Sequence, residues 1–303
     1  MKKVKNGPLV LNTISEMHRM LGLAGPEHPL VSTIHFSDIK NIQEEIPDGL
    51  ILNLYMIAIK KDYKGKIRYG QNSYDFDEGV MSFIAQGQIC YENEPGESPL
   101  AGCMLLIHPD FLRGYPLAKN IKNYEFFSYA VNEGLYLSQK EEKLVEGIMR
   151  NIEQEYTSAI DNLSQDVIIS HIELLLTYSN RFYNRQFITR KNLNNDLVAK
   201  IDNLLNDHYN SDNTCLPRVK DIADHLNVSP GYLSDMLRAV TGQNAQQHIH
   251  NKLIEKAKEI LTSTPLSVSE IAYQLGFEYP QSFSKLFKTK TNISPLEYRK
   301  LFN

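Results

Sequence analysis

The sequence lacks most features that mark a secreted, membrane-spanning or catalytic chain. Its three cysteines, Cys90, Cys103 and Cys215, are too few and too scattered for a disulfide framework or a zinc site. No apolar run approaches the roughly 18 residues a membrane span requires. The basic start, Met1 to Lys5, is not followed by the apolar stretch of a signal peptide. A glycine-rich phosphate loop, a Ser/His/Asp order and an HExxH pattern are all missing. These absences lead to the expectation of a cytoplasmic protein that is not an enzyme, with no catalytic residues, no metal ligands and no resident cofactor.

The bulk composition is ordinary and the pattern is not. At 303 residues the chain is long enough for two domains, and 42% apolar with 22% charged residues suits globular folding. Residues 214–303 carry one pattern twice. Val219, Ile222, Ala223 and Leu226 return as Val268, Ile271, Ala272 and Leu275, an offset of 49. After one extra residue in the turn, Leu233-Ser234 and Leu237-Arg238 return as Phe283-Ser284 and Phe287-Lys288, an offset of 50. Each copy has two short amphipathic stretches joined by a tight turn, the sequence form of a helix-turn-helix unit, here at 219–240 and 268–290. Such a unit lays its second helix in the major groove of duplex DNA. The charge split agrees: residues 214–303 hold 11 Lys+Arg against 8 Asp+Glu, and residues 1–213 hold 21 against 28.

Earlier in the chain the pattern is β, then helical. Leu30–Phe36 alternates, Leu50–Ile59 is apolar on both faces and reads as one covered strand, and Val80–Ala85 and Cys103–Ile107 are further apolar runs. Turns are expected at Lys64-Gly65-Lys66 and Asp77-Glu78-Gly79. Several short strands at near-regular spacing imply a small barrel or sandwich. Ser138 with Glu141 opens a helix to Tyr156, and Ser164 opens a second with Val167, Ile168, His171, Leu174, Leu175, Tyr178 and Phe182 on one broad face. The polar run Arg190–Asp196 begins a linker region, with a helix over Leu197–Tyr209 and a loop over Asn210–Thr214. Ser229-Pro230, Ser267 with Glu270, and Ser294-Pro295 with Glu297 are helix starts. The connector Ala245–Leu261 reads as a helix on the order of 25 Å long. It can hold two recognition helices about one DNA turn, roughly 34 Å, apart.

These residues resemble the AraC/XylS family of bacterial transcription regulators. The resemblance covers residues 195–301 and rests on the paired Ile-Ala-x-x-Leu motifs, Tyr232-Leu233-Ser234, Gly276-Phe277, Phe283-Ser284-x-x-Phe287-Lys288 and Ser294-Pro295-x-x-Tyr298-Arg299. Asn292 stands where the family usually has Gly, and Asn tolerates the left-handed cap. Residues 74–88 are similar to the cupin-like sensor domain many such regulators carry, with Gln86 departing from the usual Pro.

The fold expected is therefore α+β. An N-terminal β-barrel or cupin-like domain with a helical pair (1–185) senses an effector and dimerises. A linker region with a helix (186–213) leads to an all-α DNA-binding domain (214–303). The partners implied are double-stranded DNA, an unidentified small-molecule effector and a second copy of the chain. Contact with the transcription machinery is left open, and no membrane is involved. The alternatives are a cupin-type enzyme with a DNA-binding tail, and a regulator whose β domain only dimerises.

Candidate DNA contacts follow from helical spacing. In the first recognition helix Leu233, Met236 and Leu237 point inward, leaving Tyr232, Ser234, Asp235 and Arg238 outside. Asp235 is repelled by phosphate unless it accepts from a cytosine amine, and Arg238 is either a phosphate anchor or a solvated surface residue. In the second, Phe283, Leu286 and Phe287 are core. Gln281, Ser282, Lys285 and Lys288 face out, where Gln can pair with adenine and Lys with guanine. His248-Ile249-His250 falls on the helical connector, where positions two apart diverge, so it is not read as a metal pair. His35 and His108 read as structural. Tyr55, Tyr69, Tyr74 and Phe83 either line a pocket or form plain core, and no ligand residue is assigned.

Overall fold

A computed structural model describes residues 8–39, 49–61, 67–69, 72–74, 79–90, 101–130, 133–159, 161–211 and 215–302, with the side chains of 67–69, 72–74, 90 and 191–193 excepted. The expected turn at 64–66, and residues 75–78 of the sensor-like segment, lie outside the described residues. The chain divides into two compact units, Met1–Gln186 and Phe187–Asn303.

In the first unit the elements run β1 (Leu9–Leu11), α1 (Ile14–Met20), β2 (Val31–His35), β3 (Leu50–Leu52), β4 (Tyr55–Lys61), β5 (Ile67–Tyr69), β6 (Asn72–Tyr74), β7 (Val80–Ile84), β8 (Gln88–Cys90), β9 (Ala101–Ile107), α2 (Leu117–Asn120), β10 (Leu135–Tyr136), α3 (Gln139–Thr157) and α4 (Ser164–Thr189). Five strands form an antiparallel sheet in the order β10-β7-β4-β9-β2, three form β1-β3-β8 with β1 parallel to β3, and β5 pairs with β6. Mixed α+β architecture matches expectation. A closed barrel does not: among the described residues the three ladders remain separate, and the five-stranded sheet ends at β10 and β2.

The stretch expected as one strand from Leu50 to Ile59 is two, in different sheets. The break falls at Asn53, whose amide N–H donates to the Leu11 carbonyl (2.9 Å) and whose side chain donates to Asn12 Oδ1 (2.7 Å). The amide bond closes the β1–β3 ladder beside Leu52, the side-chain bond holds the bend that follows, and the chain enters β4 at Tyr55. The reading of a covered strand holds for β4, because the pleat sends alternate residues to two filled faces. Ala58, Ile84, Met104 and Leu106 pack with Ile14, Met17 and Met20 of α1 and with Leu50 and Leu52 of β3. On the opposite face Phe83 meets Phe126, Phe127 and Tyr183, and the Cys103 thiol lies 3.6 Å from Met149 Sδ. Tyr55 and Phe83 are thus plain core, with Tyr55 edge-on to Phe127.

The Ser138/Glu141 capping box opens α3 as expected. The buried stripe of α4 is rotated from the expected face: Ile168, Ile169, Ile172, Leu175, Leu176, Phe182 and Tyr183 are buried, whereas Val167 and Leu174 are 37% and 42% exposed. Of the seven residues expected on that face only Ile168, Leu175 and Phe182 are buried, and Ile169, Ile172, Leu176 and Tyr183 beside it complete the stripe.

The second unit is helical: α5 (Lys191–Asn210), α6 (Val219–Leu226), α7 (Pro230–Thr241), α8 (Ala245–Ser263), α9 (Val268–Gln274), α10 (Pro280–Thr291) and α11 (Pro295–Lys300). The polar run expected to begin a linker is helical from Lys191 onward, with Arg190 the turn between α4 and α5. α5 packs against α7 and α8, with Asp202 paired to His248 Nε2 (2.8 Å) and Lys252 Nζ (3.3 Å). At 19 residues, α8 is about 28 Å long.

Candidate nucleic-acid interface

The repeat in the sequence is a repeat in structure, down to single hydrogen bonds. In the first turn Asn227 adopts the left-handed conformation (φ 56°) and the Val228 amide donates to the Ala223 carbonyl at 3.0 Å. In the second, Gly276 (φ 88°) takes that place and the Phe277 amide donates to the Ala272 carbonyl at 2.9 Å. Pro230 and Pro280 then open α7 and α10. The two helices end on left-handed Gly242 (φ 77°) and Asn292 (φ 64°), so Asn292 fills the cap that the sequence assigned it. Capping boxes from Asn244 with Gln247 and Ser294 with Glu297 start α8 and α11. Each module is therefore three helices, α6-α7-α8 and α9-α10-α11, with α8 the third helix of one and the brace of the other.

Gly276 also makes room. A Cβ there would lie 2.5 Å from the Cys215 carbonyl carbon, so the segment before α6 crosses directly over the second turn. His208, at the end of α5, holds that segment through Nε2 and the Cys215 carbonyl (2.7 Å). Behind α10 the core comprises Leu253, Ala257 and Leu261 from α8, Ile271 and Leu275 from α9, and Phe283 and Phe287. Leu286 is only partly buried against it. Arg299 ties α11 to the far end of α8 by donating to the Leu261 (3.0 Å) and Leu266 (2.6 Å) carbonyls.

The two recognition helices present different surfaces. On α10, Gln281, Ser282, Lys285 and Lys288 are exposed on the face away from Phe283 and Phe287, and neither lysine is in an ion pair among the described residues. Lys290 continues the basic edge. On α7, Leu233, Met236 and Leu237 are buried as expected. Tyr232 corrects the expectation of an outward residue: it is 2% exposed, with its ring edge-on to Phe187 at 5.2 Å. It lies one position before Leu233, on the side of the helix that meets Phe187 at the end of α4, a packing partner that period counting does not see. Ser234 is partly buried and its hydroxyl accepts from the Ala245 amide at 3.4 Å, a local tie to the start of α8. Asp235 and Arg238 form an i,i+3 ion pair, the carboxylate partly covered and the guanidinium half exposed. Arg238 is thus ion-paired, unlike the lysines of α10, although Glu297 of α11 lies close enough to Lys288 to feel its charge.

The histidines are held structurally. His248 is buried against Asp202, whereas His250 meets Gln246 on another side of α8. His35 lies 3.1 Å from Glu153, a carboxylate that sequence spacing could not supply, and His108 caps the following turn by accepting from the Asp110 amide. Among the described residues no three His, Cys, Asp or Glu side chains are grouped to hold a metal, and no helix is long and apolar enough to cross a membrane.

Residues 222–301 match a family described as a helix-turn-helix domain. An uncharacterised HTH-type transcriptional regulator, YfiF, of Bacillus subtilis is 32% identical over 145 residues, which cover 47% of this chain and 43% of that relative. The xylose operon regulatory protein of Escherichia coli K12 is 31% identical over 93 residues, 30% of this chain and 24% of that relative. The chain spans less than half the length of these curated relatives. Among solved structures, the C-terminal domain of the two-component response regulator yesN from Fusobacterium nucleatum is 33% identical, with a TM-score of 0.31, covering 34% of this chain and 98% of that one. Residues 222–301 are a helix-turn-helix domain of the kind carried by transcriptional regulators.

Proposed function

We propose that this chain, with its helix-turn-helix domain at 222–301, is a sequence-specific DNA-binding transcription regulator of AraC/XylS type that responds to a small-molecule effector as a homodimer. The observation that carries the reading is the duplicated three-helix module, whose second recognition helix exposes Gln281, Ser282, Lys285 and Lys288. Lys285 and Gln281 suit guanine and adenine edges in the major groove, and Lys288 suits a phosphate. In the first module Asp235 and Arg238 remain the candidates, and Ser234 is the weaker one because its hydroxyl is used locally.

In this reading the first unit senses the effector and dimerises, and the second binds DNA with α5 bracing α7 and α8. Likeness to cupin-like sensors rests on the sequence of residues 74–88 alone. The dimer seam is supported by α4, where Val167, Leu174 and Ile188 are exposed at spacings of 7 and 14 residues. The reading is tested by selecting fragments of the source genome on the purified chain and competing them with random duplex. Retention of particular fragments at salt concentrations that strip random duplex is expected. Equal release of both would overturn the reading, since phosphate contacts alone do not discriminate sequence.

A further inference from the structure

The internal repeat lets each residue of α10 be compared with its counterpart in α7. Both helices begin on a proline, Pro230 and Pro280, and counterparts lie 50 positions apart. The candidate contacts Gln281, Ser282 and Lys285, all exposed, therefore correspond to Gly231, Tyr232 and Asp235. None of these three is suited to read a base edge. Gly231 has no side chain. Tyr232 is 2% exposed, with its ring against Phe187. The Asp235 carboxylate is partly covered, is bonded to Arg238, and carries the sign that phosphate repels. Ser234 on the same helix is partly buried beside the Ala245 amide.

The helix starts differ in the same direction. Before α7, Ser229 caps the helix by accepting from the Tyr232 amide at 3.2 Å. Its counterpart is Tyr279, which holds the cap position of α10 in extended backbone (φ −128°, ψ 121°) and makes no side-chain capping bond. Serine is a strong cap and tyrosine is not, so this residue forgoes local stability. Its side chain is instead 59% exposed, directly before the first turn of a recognition helix, the part of such a helix that meets base edges.

We infer that the two modules divide recognition unequally. α10 reads the bases of its major-groove segment, with Tyr279 as a further specificity residue, and α7 holds the adjoining segment through Arg238 and the phosphate backbone. The Tyr279 ring suits the C5 methyl of a thymine at the edge of the α10 segment, an apolar contact that serine cannot make. Asp235 positions the Arg238 guanidinium and reads no base. This division rests on the DNA-binding reading and adds to it which helix carries the sequence preference.

The test selects a randomised duplex library on the full chain and on its variants, with affinities of the selected sequences measured by anisotropy. Gln281→Ala/Lys285→Ala should flatten the parent's base preferences, losing on the order of tenfold in discrimination at each position read. Asp235→Ala should shift affinity for every sequence by one common factor and leave the preferred bases as they were. Deoxyuridine is then substituted for each selected thymine in turn. At one position it should weaken the parent about fourfold, the worth of one buried methyl group. Tyr279→Ser should be weaker on the thymine site and indifferent to the deoxyuridine change. Its melting temperature should not fall, since serine restores the cap used in the first module.

Preferred bases that change in Asp235→Ala, or that persist in Gln281→Ala/Lys285→Ala, would overturn the division. Deoxyuridine that costs the parent nothing at every position, or costs Tyr279→Ser as much as the parent, would remove Tyr279. A parent that selects no sequence at all sinks the DNA-binding reading itself, whereas preferences carried equally by both modules sink only the division.

Discussion

Gly276 is the position at which a single atom would do most damage. Its φ of 88° strains any L residue, and a Cβ there would meet backbone of Cys215 and Leu216 at 2.5–2.8 Å, which cannot rotate away as a side-chain tip would. Gly276→Ala is expected to cost about 2–4 kcal/mol, combining left-handed strain with overpacking. Denaturant melts of the variant check this, and a change under about 0.5 kcal/mol would show that the crossing segment yields freely. In the proposed reading Lys285 is the candidate base contact of α10. Its replacement by Ala should lower the salt slope of DNA binding by about one if it holds a phosphate. If it reads guanine, the change should cost about 1–3 kcal/mol at one base position only. Anisotropy titrations across salt separate these outcomes, and unchanged affinity on every sequence removes Lys285 from the interface. Burial pushes the Cys103 thiol up to about 12, so that cysteine stays protonated and inert at neutral pH.

Among the elements, the helix starts are built alike and share a pH response. Glu270 is held below its ordinary 4.5 mainly by the Ser267 side chain, and Glu297 mainly by the Ser294 backbone amide. A carboxylate with a depressed folded pKa stabilises above its unfolded value and loses that contribution as pH falls through the folded one. Both caps should therefore weaken below about pH 4.5, and Glu270→Gln/Glu297→Gln should melt with a flatter pH profile than the parent from about pH 6 to about pH 3. A parallel pair of profiles would refute the caps as the source. In α4 the exposed line through Val167 and Leu174 gives a separate prediction. Leu174→Glu should shift the chain from dimer to monomer in sedimentation equilibrium while leaving the monomer folded, since the site is 42% exposed. A dimer that persists at the same strength places the seam elsewhere.

For the whole molecule, the regulator reading is a statement about coupling between the two units. An effector moves an equilibrium only by its difference in affinity for the two states, and the coupling is reciprocal. If the ligand of the first unit changes affinity for selected DNA by some factor, that DNA must change affinity for the ligand equally. Paired titrations measure both factors. DNA affinity that is the same with and without saturating ligand would leave the first unit as a dimerisation platform only. Charge is also divided along the chain, 28 acids against 21 bases before residue 214 and 8 against 11 from it onward. That favours approach to DNA by the second unit.

Some features of this protein are written locally in the chain. The two turns, their left-handed residues, the capping boxes and the inward Leu233, Met236, Leu237, Phe283 and Phe287 depend on neighbours within a few positions, so spacing and residue type were enough to read them. Other features depend on partners distant in sequence. Tyr232 is buried with its ring against Phe187 of α4, Leu50 and Ile59 belong to different sheets because the chain bends at Asn53 between them, and of the apolar face expected on α4 only Ile168, Leu175 and Phe182 are buried. A polar cleft beside β2 is the extreme case: His18, Thr33 and Glu153 line it from three elements up to 135 positions apart, and no periodicity connects them. Helix geometry is a short-range property of the backbone, whereas a cavity exists only where long-range packing leaves space.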